Sequence, residues 1–279
     1  MRSQSRSSFS DLRETFSYNQ KAPLHKEEAG IEYQNGISVH DISYAGLEGG
    51  RIKAYLVVPP GTGPFAAVIF VHPGPGSRSS FLEEAITLAK ANAACLLIDA
   101  PWTNGPQFGK RASGQPEDVR DWFIEIAKDL RRAIDLITSL PSVDTNRIAY
   151  VGHSLGALFG GILSGVDERI KASVLMAGVG SFTDVALLNM PALTGVELEK
   201  YKKIMESIDP LRYIRNAAPS ALFFQFGYQD VFFPKQKFLE FYEAGSEPKY
   251  IRWYNADHYS LNEEGRFDRI EWLKEKLCL

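Results

Sequence analysis

Residues 147–163 read RIAYVGHSLGALFGGIL, and the reading of this stretch decides the fold. Positions 147–151 form a nearly continuous apolar run, the pattern of a strand buried on both faces of a sheet. From Leu155 onward small and apolar residues dominate, and Gly160 and Gly161 let a helix lie close against that sheet. Between the two lies Gly152-His153-Ser154-Leu155-Gly156. A serine on a sharp strand-to-helix turn needs neighbours without bulk, because the backbone there is strained and crowded. The start of the helix also points unpaired N–H groups and a partial positive charge at that serine. Such a serine is poised for chemistry; the plain alternative is a helix N-cap.

Working outward, the runs at 66–71, 94–98, 172–176 and 221–226 have the same short, continuously apolar character. Runs at 37–44 and 51–58 flank Gly46, Gly49 and Gly50 and suggest an antiparallel pair, while 249–254 reads as a last, more exposed strand. Helical spacing of apolar residues marks 81–91, 117–140, 154–163, 235–244 and 263–277. Strand and helix alternate, so the expected class is α/β. The expectation is a mostly parallel, eight-stranded twisted sheet with helices on both faces. Residues 1–30 read as a polar N-terminal extension and 31–279 as one domain. An apolar, helical insertion at about 181–220 is too long for a simple crossover. It is expected either to pack on the core or to act as a lid.

Composition narrows the functions. The 279 residues hold 31 Lys+Arg against 34 Asp+Glu, a formal net charge of −3. That balance gives no footprint for phosphate backbones, so nucleic acid is not an expected partner. No run approaches the roughly 18 apolar residues of a membrane helix, so no membrane partner is expected either. MRSQSRSSFS at the N-terminus lacks the apolar core of a secretory signal. Cys95 and Cys278 stand in no metal or redox spacing. The expectation is a soluble, cytoplasmic protein that needs neither metal nor organic cofactor.

A serine hydroxyl needs a base to take its proton. Of five histidines, His25 and His40 precede the parallel core, His72 ends a strand, and His153 should project away from Ser154. His258, in the loop after the last strand, is left as the base, since parallel sheets place chemistry at the C-terminal ends of their strands. The base in turn needs a buried acid. Asp230 directly follows the run at 221–226; Asp184 is the reserve, Asp99 precedes the serine, and Asp257 is too close to the histidine in sequence. Oxyanion donors are expected from the N–H of Leu155 and from Gly74 or Gly76 in His72-Pro73-Gly74-Pro75-Gly76. That loop lacks the third glycine of a dinucleotide fingerprint. Leu187, Leu188 and Met190 of the insertion, with Trp102 and Tyr228, are the candidate substrate-pocket residues.

With HPGPGSR at 72–78, VDTNRI at 143–148, GHSLG at 152–156, DPLRYI at 209–214, GYQD at 227–230 and DHYSL at 257–261, the chain resembles the α/β-hydrolase superfamily. It looks most like the branch of dienelactone hydrolases and prolyl-oligopeptidase-related serine esterases. It carries serine where a dienelactone hydrolase carries cysteine, has no room for a propeller domain, and Pro75 interrupts the glycine run of many lipases. The resemblance implies an α/β-hydrolase fold, with Ser154 as nucleophile, Asp230 as acid and His258 as base. It also implies hydrolysis of a small, largely apolar carboxylic ester through an acyl-enzyme. The alternatives are a peptidase, an amidase, a carbon–carbon bond hydrolase, or a silent ligand-binding member of the fold.

Overall fold

The computed structural model describes residues 9–259 and 262–279. Residues 1–8, the start of the expected N-terminal extension, lie outside it. Nine strands follow in chain order: β1 Glu27–Gln34, β2 Ile37–Ala45, β3 Arg51–Val58, β4 Phe65–Val71, β5 Ala93–Ile98, β6 Val143–His153, β7 Ala172–Met176, β8 Ala221–Gly227 and β9 Lys249–Tyr254. The helices are α1 Phe9–Glu14, α2 Leu82–Lys90, α3 Gly105–Ala112, α4 Pro116–Thr138, α5 Leu155–Val166, α6 Phe182–Asn189, α7 Gly195–Met205, α8 Pro210–Tyr213, α9 Lys235–Ala244 and α10 Glu263–Leu277.

All nine strands join one sheet in the order β1-β2-β3-β5-β4-β6-β7-β8-β9. The contacts β1/β2, β2/β3 and β3/β5 are antiparallel; those from β5 through β4 to β9 are parallel. The strand count corrects the expected eight. β1 is exposed along its whole length, so no buried face imposes an alternation by which its sequence could be recognised.

Strand β4 shows why continuous apolarity marks a two-sided strand. Ala67, Ile69 and Val71 enter one core, and Ala66, Val68 and Phe70 the other. The first core is closed by α4, α5, the insertion and α9, the second by α2 and α10. The described part of the N-terminal extension is docked rather than loose. Phe16 is fully buried and meets Tyr213 edge-on at 5.1 Å, while Arg131 donates to the Phe16 carbonyl at 2.7 Å. Burying one such ring is worth about 1.5–3 kcal/mol.

The insertion forms α6, α7 and α8. Its Phe182, Tyr201, Met205 and Ile208 are buried in the first core, whereas Leu188 and Val196 are exposed. Phe182 lies 4.7 Å from the ring of Phe123 on α4 and 5.3 Å from that of Phe159 on α5. No helix among the described residues is long and apolar enough to cross a membrane.

Candidate active site

Strand β4 lies inside the parallel region, with β5 on one side and β6 on the other. The chain after β4 and the chain after β6 therefore leave in opposite directions, which opens a crevice at the strands' C-terminal ends. The register pairs Val71 with Gly152, Gly152 with Leu175, and Leu175 with Phe224. The loops beyond these residues consequently share one rim.

Ser154 takes the first turn beyond β6 with φ 53° and ψ −114°, a conformation costly to a residue with a side chain. The fold holds it there. The Ser154 N–H donates to the Met176 carbonyl at 2.8 Å, and the Tyr150 hydroxyl donates to the Gly156 carbonyl at 2.6 Å. A side chain at Gly152 would overlap the Gly156 carbonyl, and one at Gly156 would overlap the Val71 carbonyl. The small residues flanking the serine are thus required by close backbone approach.

His258 lies within hydrogen-bond reach of both expected partners. Its Nε2 is 2.9 Å from Ser154 Oγ and its Nδ1 is 2.6 Å from Asp230 Oδ2. A carboxylate only accepts, so Nδ1 carries the proton and Nε2 offers its lone pair to the serine hydroxyl. The other oxygen of Asp230 accepts the Phe232 N–H at 2.9 Å, which sets the carboxylate's angle. The side chains of His258 and Asp230 are 5% and 1% exposed. Their loops are stitched together by Tyr228 N–H to the Tyr254 carbonyl, 2.9 Å, and Gln229 N–H to the Ala256 carbonyl, 3.0 Å. The Phe232 ring covers the imidazole at 4.6 Å.

The other acids are occupied elsewhere. Asp184 pairs with Lys237 at 3.1 Å, and Asp99 accepts the Arg78 N–H at 2.8 Å. Asp257 Oδ1 accepts the Tyr259 N–H at 2.9 Å. Of the remaining histidines, His25 is exposed, and His40 bonds Glu28 and Ser38 on the β1/β2 side. His72 is a scaffold. The Ala100 N–H donates to its Nε2 at 3.1 Å, so its Nδ1–H must donate to the Pro73 carbonyl at 2.7 Å. That bond folds the loop back at Pro73, and burial lowers the His72 pKa. His153 does not simply project away from the rim: its Nε2 donates to the His258 carbonyl at 2.7 Å. Nothing in the sequence signals this contact, which spans 105 positions.

Among the oxyanion candidates, a side chain at Gly74 would meet both the Leu155 side chain and Trp102. Gly76 packs back on Pro73, His72 and Ser80. Among the described residues, the N–H groups of Leu155, Gly74 and Gly76 all lack a protein acceptor. Of the two glycines, Gly74 is the one whose Cβ position faces the Leu155 side chain.

The expected pocket residues do not converge. Trp102 is buried beside Gly74 and stacked on Phe159 at 5.5 Å. Leu187 and Met190 are half-buried, and Met190 packs on the first core. Leu188 faces solvent, and the exposed Tyr228 stacks on Trp253 at 5.5 Å. Apolar residues of a helix serve either a core or a ligand, and sequence spacing does not distinguish the two. A cleft of about 560 Å³ opens instead beside Pro73, Pro75, His153 and Tyr259, the chain neighbours of Gly74, Ser154 and His258, and beside Met176, whose carbonyl accepts the Ser154 N–H. Its lining also takes in Phe81 and the polar Ser79, Ser80, Glu83 and Arg266, with the buried Glu84–Arg269 ion pair beneath. Among the described residues, no group of three or more His, Cys, Asp or Glu side chains is placed to hold a metal ion.

This geometry sits in a known setting. Residues 68–270 match the model of the alpha/beta hydrolase family. The chain belongs to that family. No curated protein matches it in sequence. Among solved structures it is similar to the acetyl xylan esterase from Paenibacillus sp. R4, at 20% identity over 96% of this chain and 93% of that one, with a TM-score of 0.77. It is also similar to acetyl xylan esterase 1 from Thermoanaerobacterium sp. JW/SL YS485, at 17% identity over 95% and 93%, TM-score 0.76. A cold-adapted esterase from an Arctic intertidal metagenomic library covers 99% of its own length and 90% of this chain, at 16% identity and a TM-score of 0.61. At these identities the likeness is one of fold.

Proposed function

We propose that this protein is a serine hydrolase that cleaves small carboxylic esters through an acyl-enzyme. The observation that carries the reading is the unbroken hydrogen-bonded run from Ser154 Oγ through the His258 ring to Asp230, at 2.9 and 2.6 Å. His258 Nε2 takes the Ser154 proton as Oγ attacks the carbonyl carbon, and the imidazolium is stabilised by Asp230. The N–H groups of Leu155 and Gly74 receive the oxyanion, a contribution worth about 3 kcal/mol per donor in comparable sites. The C–O bond to the alcohol then breaks and His258 returns the proton to that oxygen. In the second half, water gives a proton to His258 and attacks the acyl carbonyl; Ser154 leaves and takes the proton back. No step calls for a metal or an organic cofactor.

An ester is the favoured bond because the neighbours named above are esterases. The mixed polar and apolar lining of the cleft adds that the substrate need not be apolar throughout. The test is labelling with a fluorophosphonate, read by peptide mass, beside hydrolysis of nitrophenyl esters of graded acyl length. Expected is one adduct on Ser154, absent in Ser154→Ala, with that variant's turnover down by about 10⁴ or more. A folded parent that neither labels nor hydrolyses any ester, anilide or vinylogous ketone would leave the silent, ligand-binding reading in its place.

A further inference from the structure

We propose that His153 is a positioning residue, whose Nε2–H tethers the backbone of His258 so that the imidazole stays aimed while Ser154 is acylated. The proposal rests on the serine-hydrolase reading of the site.

The geometry points to it as follows. His153 ends β6 immediately before the strained serine and is 5% exposed; His258 is 4% exposed and follows β9. A backbone carbonyl can only accept, so the 2.7 Å contact fixes His153 as the Nε2–H tautomer. Burial first, and then the nearby His258 and Arg269 charges, bring the His153 pKa down to about 4. The ring is thus a neutral donor throughout the range in which an imidazole base operates. It is not a second base.

In the free enzyme His258 has three anchors: Asp230 at Nδ1, Ser154 at Nε2, and His153 at its carbonyl. Acylation removes the Ser154 hydroxyl from that set. The ring must then take a proton from water with Asp230 and the carbonyl tether as its remaining hydrogen-bonded anchors. Asp230 fixes one atom of the ring but not the ring's rotation about that bond. The tether supplies the second point, and it is made by the residue bonded to the nucleophile itself. Base and nucleophile are thereby held to one piece of backbone. Misplacing a reacting group by about 1 Å can cost up to a hundred-fold in rate. The second half of turnover should bear that loss.

The decisive variants are His153→Phe, which keeps a ring and removes the donor, and His153→Gln, which keeps a donor. Stopped-flow hydrolysis of nitrophenyl acetate separates the acylation burst from steady turnover. Expected in His153→Phe is a retained burst with turnover slowed by about ten- to a hundred-fold and KM not raised. His153→Gln should recover most of that loss. A second readout needs no activity: the downfield Nδ1 proton of His258 in the NMR spectrum should be sharp in the parent and in His153→Gln, and broadened in His153→Phe. Unchanged turnover and an unchanged resonance in His153→Phe would overturn the proposal. Equal impairment of the two variants would do the same, because the donor would then be irrelevant. A parent that shows the sharp resonance but no burst would instead count against the hydrolase reading alone.

Discussion

The rim of the parallel strands and the insertion at 181–220 use similar apolar material to different ends. At the rim, backbone register determines which side chains meet. Gly152 pairs with both Val71 and Leu175, so the turns beyond them are neighbours whatever the surrounding loops do. In the insertion no such lattice exists. Phe182 and Ala186 of α6 enter the core while Leu188, on the same helix, faces water. Chemistry is therefore attached to the part of the fold whose geometry is least negotiable, and the insertion is attached to it through packing.

The largest expected effect sharpens this contrast by comparing the expected acid with its reserve. Asp230→Asn should lower kcat by roughly 10⁴, because an amide in that position favours the wrong imidazole tautomer. Asp184→Asn removes only the Lys237 pair, on a lysine that is 36% exposed. Partly exposed pairs of this kind are worth at most about 1 kcal/mol, so kcat should stay near the parent value. Steady-state hydrolysis of one nitrophenyl ester by both variants reads the difference. A collapse of kcat in Asp184→Asn, with Asp230→Asn active, would dissolve the distinction between the two regions.

What the sequence reveals follows the same division. Strands β4 to β8 are recognisable because burial on both faces demands unbroken apolarity. Ser154 and Asp230 are recognisable because each follows such a strand, and His258 because it follows the last strand and few histidines stand at a strand's end. Strand β1 is hidden by its lack of a buried face. The docking of Phe16 is hidden because one aromatic in a polar segment has no period. His153 and His72 are visible as residues but not in their roles. Those roles are hydrogen bonds to backbone carbonyls, and carbonyls carry no sequence identity. The pocket is not legible for a related reason, since apolarity alone does not say what a side chain packs against.

A second measurement asks whether the insertion is core or site. Phe182 is 1% exposed and wedged between Phe123 and Phe159. Phe182→Ala should leave a cavity and cost about 3–5 kcal/mol of stability, read as a fall in the urea midpoint. Well below the unfolding transition, kcat on a short-chain ester should change by less than about three-fold, as expected for a packing residue remote from the reacting atoms. Full stability with lost activity would move α6 into the site and make the insertion a functional lid.

The smallest effect concerns how the insertion is fastened. Asp209, just before α8, accepts the Phe182 N–H at 2.8 Å and the Ser181 hydroxyl at 3.1 Å. It is 8% exposed. Burial raises its pKa to about 7, outweighing those two bonds, with the nearby Asp184 and Glu206 charges adding to the rise. An unfolded aspartate titrates near about 3.9, so between that value and about 7 the native state holds a proton that the unfolded state has lost. The stability linked to this group is therefore complete below the unfolded pKa and is lost as pH rises through 7. The fastening should be tightest in acid, when the carboxyl is neutral and can still accept the Phe182 N–H. Asp209→Asn mimics that neutral form at every pH. Its melting temperature should match the parent near pH 4 and exceed it at pH 8, where removing the buried charge is worth about 1–2 kcal/mol after allowance for an imperfect bond to Ser181. Parallel melting curves across that range would mean that the clamp ionises without penalty, and that the insertion is held by its apolar packing alone.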